Sequence, residues 1–90
     1  MRFKWDPSKA AANVFKHLVS FDEAATALSD SPAQTGHGPD HSLSEPRNLT
    51  FGVSSSGRLR VVAHTEHGDT VRIIRARLAT GAERRVYEEG

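Results

Sequence analysis

Residues 48–78 read NLTFGVSSSGRLRVVAHTEHGDTVRIIRARL, and the alternation in this stretch decides the fold. From Asn48 to Ser54, Leu49, Phe51 and Val53 alternate with Asn48, Thr50 and Ser54. That is the period of a strand with one apolar face turned inward. Ser55-Ser56-Gly57 supplies a hairpin turn. Arg58 to Glu66 repeats the pattern, with Leu59, Val61 and Ala63 inward and Arg58, Arg60, His64 and Glu66 outward. His67-Gly68-Asp69 turns the chain again, and Thr70 to Leu78 forms a third strand. Adjacent Ile73 and Ile74 break the alternation there, which predicts a bulge or burial on both faces.

The flanks add helices. Residues 2–5 alternate Arg2 and Lys4 with Phe3 and Trp5, as a short strand does. Asp6-Pro7 is a helix start, because the aspartate caps free amides and proline fits the first turn. Ala10, Ala11, Val14, Phe15 and Leu18 follow at helical spacing. Ser20-Phe21-Asp22-Glu23 is a capping box opening a second helix through about Leu28, with Phe21, Ala24, Ala25 and Leu28 inward. Residues 29–46 are a loop rich in Ser, Pro, Gly, Asp and His, with room for a short edge strand near Ala33-Gln34-Thr35. Thr80-Gly81-Ala82-Glu83 is another capping box, starting a last helix that carries Tyr87. The expected order is β-α-α-β-β-β-α: one α+β domain over residues 1–90, an antiparallel sheet with helices on one face and the other face free for a ligand.

Composition narrows the function classes. The chain has no cysteine, which excludes disulfides and thiolate metal sites. No apolar run approaches a membrane span, and the opening Met-Arg-Phe-Lys-Trp-Asp has no signal-peptide core, so the expected location is the cytoplasm. Net charge is only +1, but it is polarised. His17 to Pro46 has no lysine or arginine, whereas Arg58 to Arg77 holds five arginines. Arginine suits phosphate because its planar fork donates paired hydrogen bonds.

The segment Phe3-Lys4-Trp5-Asp6-Pro7-Ser8-Lys9, with Asn13, Lys16-His17 and Val19-Ser20-Phe21-Asp22-Glu23-Ala24, has a family look. So do Asp40-His41-Ser42, Arg47, Gly52 and Ser54, and then Val71-Arg72-Ile73-Ile74, Ala76-Arg77, Ala79-Thr80, Glu83-Arg84 and Tyr87-Glu88. In this order and spacing they resemble the BrnT family of type II toxins, over nearly the whole chain. The resemblance implies a RelE-like ribonuclease fold, RNA cleavage that halts translation, and a cognate BrnA-like antitoxin with a ribbon-helix-helix domain. Promoter DNA would be contacted only through that antitoxin. Leu18, His67 and Arg75 depart from the family's common glycine, arginine and serine.

Metal-independent RNA cleavage needs a base for the ribose 2′-OH, a cation for the charge on phosphorus and an acid for the leaving oxygen. Arg72 and Arg77 are the leading cations, set against the plainer reading of ion pairs with nearby carboxylates. Arg84 and Tyr87 on the last helix can contact phosphate and base, or simply pair and pack. His64 and His67 are the natural acid–base pair, since histidine titrates near neutrality. Arg58, Arg60, Arg75 and Lys4 are expected to line the RNA path. No cofactor or metal is expected: His37 with Asp40 and His41, and His64-x-x-His67, lack a defined third ligand. The second reading is a catalytically weak module that binds antitoxin or RNA.

Overall fold

Asp6 accepts hydrogen bonds from the amides of Ser8 (2.8 Å) and Lys9 (3.4 Å) and starts helix α1, Pro7–His17. Ser20 Oγ accepts from the Glu23 amide at 3.0 Å and opens α2, Phe21–Leu28. Thr80 and Glu83 form a reciprocal box: the Glu83 amide donates to Thr80 Oγ1 (3.1 Å) and the Thr80 amide to Glu83 Oε1 (2.9 Å). It opens α3, Gly81–Glu89. The computed structural model describes residues 2–30 and 48–89, together with the backbone of 34–37. Asp40, His41 and the two loop prolines lie outside the described residues, as does the side chain of His37.

The strands are β1 (Arg2–Lys4), β2 (Gln34–His37), β3 (Asn48–Val53), β4 (Leu59–His67) and β5 (Thr70–Leu78), in sheet order β1-β5-β4-β3-β2. The meander β3-β4-β5 is antiparallel, and β2 adds antiparallel to β3. β1 instead runs parallel to β5, placing Lys4 beside Arg72, so the α+β sheet is mixed rather than wholly antiparallel. The reason lies in α1, which continues in the same direction along β5 beyond the short β1. Its buried Asn13 completes the edge: Nδ2 donates to the carbonyls of Val19 and Ala76 (both 2.8 Å), and the Ala76 amide donates to Oδ1 (3.1 Å). A side-chain amide thus replaces a neighbouring strand and leaves no orphaned backbone group at that position.

The irregularity foreseen at Ile73-Ile74 is present. Ala63 pairs with Arg75 but His64 pairs with Ile73, so Ile74 is the extra residue of a bulge. Cross-strand partners share a face. Thr50, Val62 and Ala76 therefore point one way, and Leu49, Ala63 and Arg75 the other.

The helices cover the first of these faces, not the second. Val62, Ile73 and Ala76 pack with Val19, Phe21, Ala24 and Ala27, with Phe3, Trp5, Ala25 and Leu28 around them. Trp5 meets Phe21 edge-on, with ring centroids 6.0 Å apart. The expected inward set of Leu49, Phe51, Val53, Leu59, Val61 and Ala63 lies on the opposite face, and Arg60 and His64 point under the helices. Val61 is nonetheless 2% exposed, so β4 is buried on both sides and the alternation of β3 and β4 does not single out the helix side. The long-range partners of Arg60 and His64 decide the phase.

α1 ends unusually. Leu18 adopts φ 59°, ψ 30°, a left-handed conformation normally left to glycine, and its amide closes on the Val14 carbonyl at 2.9 Å. For leucine this costs about 1 kcal/mol.

Candidate active site and nucleic-acid interface

Two of the sequence-predicted site residues are buried under the helices, contrary to their expected outward placement. Arg60 is 5% exposed, and its Nε donates to Glu23 Oε2 at 2.6 Å. Ser54 Oγ (2.6 Å) and Ser56 Oγ (2.9 Å) donate to the same oxygen. Burial pushes the Glu23 carboxyl up, but these three donors outweigh it and hold it below the ordinary value. This capping-box glutamate does not fold back on its own helix end. It ties α2 to β4 and to the 54–58 turn.

His64 is 2% exposed, with Nε2 2.7 Å from Thr50 Oγ1 and Nδ1 without a hydrogen bond. Burial lowers its pKa despite Glu66, whose Oε1 lies 3.9 Å away. It is a neutral core histidine that RNA cannot reach.

The uncovered face carries the remaining cations. Lys4, Arg72 and Thr65 form a row across β1, β5 and β4, and Arg75 and Arg77 stand beside Ala63 and Val61. Lys4, Arg72 and Arg75 are exposed. His67 is exposed beside Thr70 at the end of β4 farthest from Leu59. Nine residues of strand separate those ends by roughly 26 Å. His67 and Arg72 therefore do not converge with the groups on α3.

Those groups gather at the other end. Past Leu78 the chain enters α3, which closes a concavity of about 480 Å³ against the 54–58 turn and the ends of β3 and β4. Arg58, Arg84, Tyr87 and Glu88 supply its polar lining, over an apolar floor that includes Val53 and Leu59. Neither Arg58 nor Arg84 makes an ion pair among the described residues, so both forks are open to an anion. Tyr87 Oη donates to Asp30 Oδ2 at 2.9 Å, and the same oxygen accepts from the Val53 amide at 2.9 Å. Desolvation, then the bond to Asp30 and its charge, raises the Tyr87 pKa, so the phenol stays protonated. Its ring is fixed as a wall of the concavity.

Arg77 holds α3 in place. It grips Glu83 with both terminal nitrogens, at 2.7 and 2.9 Å, and donates to the Leu78 carbonyl at 3.1 Å. The plainer reading, an ion pair with a helix carboxylate, describes its geometry. Hydrogen bonds from Arg77 and from the Thr80 amide, against burial, hold the Glu83 carboxyl down at about 2. A depressed carboxyl stabilises the fold above its unfolded value and loses that contribution as pH falls through the folded one. The α3 amides should therefore exchange faster as pH drops from ~4.3 towards 2, for a loss of about 1 kcal/mol after solvent screening at half-exposed Arg77. Glu83→Gln should exchange fast throughout. An α3 whose protection is independent of pH in the parent would contradict this.

Glu88 and Asp30 were not singled out by the sequence reading. The signal for Glu88 was its place one helical turn after Arg84. Asp30 carried none, since its contact with Tyr87 spans 57 residues. No helix among the described residues is long and apolar enough to cross a membrane, and none of these residues form a cluster of three or more potential metal ligands.

Residues 5–83 match the family model described as the ribonuclease toxin BrnT of a type II toxin–antitoxin system. The chain is similar in structure to the Brucella abortus ribonuclease toxin BrnT, with a TM-score of 0.65 at 22% identity over 89% of this chain and 97% of that one. No curated protein matches.

Proposed function

The chain belongs to the BrnT family of ribonuclease toxins of type II toxin–antitoxin systems, and from that premise we propose that it cleaves cellular RNA without a metal ion, at the concavity between α3 and the 54–58 turn. The observation that carries this reading is the meeting there of two unpaired guanidiniums, a fixed aromatic ring and a carboxylate. Arg58 and Arg84 hold the scissile phosphate and balance the charge that grows on it. Glu88 accepts the proton of the ribose 2′-OH, which attacks phosphorus in line, and solvent protonates the departing 5′-oxygen. The Tyr87 ring stacks on a neighbouring base. Arg75, Arg72 and Lys4 continue the RNA path along the open face. The outcome in the cell, the cytoplasm, is arrest of translation, relieved by a cognate antitoxin of the ribbon-helix-helix type.

The burial of His64 and the engagement of Arg77 favour a second reading, in which the chain binds RNA or antitoxin but turns over weakly. Purified protein incubated with single-stranded RNA in EDTA separates the two. Cleavage at an unchanged rate is the expected result; binding without cleavage supports the second reading, and cleavage only with added divalent metal overturns the mechanism.

A further inference from the structure

α1 exposes an apolar ridge that the RNA site does not use. Phe15 is 88% exposed, Leu18 81% and Val14 44%, adjacent at the carboxyl end of the helix. Leu18 is also held in the left-handed region, where glycine would remove both the strain and the exposed side chain. Beside the ridge runs a groove of about 500 Å³ between α1 and the Ile74-Arg75 edge of β5, its charged lining formed by Lys9, Lys16 and Arg75. No carboxylate lines it. Val14 and Leu18 offer neither a π-face for a base nor a donor for a phosphate, so a nucleic acid would leave the ridge unused. An apolar stripe flanked by cations fits an amphipathic polypeptide segment carrying carboxylates.

We propose that the Val14–Phe15–Leu18 ridge and the basic groove beside it are the docking surface for an acidic, amphipathic segment of the cognate antitoxin. This rests on the family reading for the existence of that partner. The surface lies along the middle of β5, whereas the concavity lies past Leu78, so docking and cleavage use separate residues.

The test measures affinity for the polypeptide encoded by the neighbouring antitoxin reading frame. The double variant Phe15→Ser/Leu18→Gly should bind it at least ~30-fold more weakly, because truncating exposed apolar anchors removes the dominant contacts of an interface. Lys9→Glu/Lys16→Glu should bind about tenfold more weakly and lose most of the salt dependence. Both variants should melt no lower than the parent and cleave RNA at the parental rate, while Arg84→Ala should bind the polypeptide as the parent does. Affinities unchanged in both double variants, or no binding by the parent, would overturn the proposal. So would a ridge variant that loses RNA or self-association while keeping the polypeptide. Binding lost in the ridge variants of a chain that cleaves no RNA would uphold this surface and reject the nuclease reading.

Discussion

Arg84→Ala should slow RNA cleavage by about 10²–10³-fold, the usual cost of removing one preorganised donor from developing charge. Arg84 is exposed and makes no ion pair among the described residues, so the melting temperature should stay within experimental scatter. Arg84→Lys should recover part of the rate: the charge returns, but the paired donation of the guanidinium does not. RNA affinity should change far less than the rate, because Arg72, Arg75 and Lys4 still hold the strand. Single-turnover cleavage at saturating protein isolates the chemical step. A loss below about threefold would place the chemistry elsewhere, and the row around Arg72 would be the next region to test.

Glu23→Ala should destabilise the fold by about 3–5 kcal/mol, because removing one member of a buried ion pair strands the other. The guanidinium of Arg60 would lose its only carboxylate, and its Nη1 is already buried without a partner. Ser54 and Ser56 would lose their shared acceptor in the same step. For a domain of this size that is a third or more of total stability. The cost belongs to the unpaired charge rather than to the pair. Glu23→Leu combined with Arg60→Met should therefore recover most of the loss. Chemical denaturation of the three proteins measures this, and a Glu23→Ala cost under about 1 kcal/mol would show that water reaches Arg60.

Signals that act within a few residues were legible in the sequence. Asp6, Ser20 and Thr80 each cap the helix they were expected to cap, and the doubled isoleucine marks its bulge. The orientation of β3 and β4 was not legible. Alternation establishes that a strand has two faces, and Val61-Val62 filled both; which face met the helices was fixed by Glu23 reaching Arg60 across 37 residues. The site follows the same division. Arg58, Arg84 and Tyr87 stood out by residue type and do share a concavity. That Arg72 and His67 lie at the far end of the sheet depends on strand length and register, which residue type does not encode. Arg77 was read as a catalytic cation from its position, but its geometry is that of a clamp on Glu83, and Asp30 became visible only when the fold brought it to Tyr87.

The nature of the cut ends tests the central claim most directly. If the substrate's own 2′-OH attacks within a site built from side chains alone, every upstream product should end in a 2′,3′-cyclic phosphate and every downstream product should begin with a 5′-hydroxyl. Products bearing 5′-phosphates would mean that water was the nucleophile, and would contradict the account.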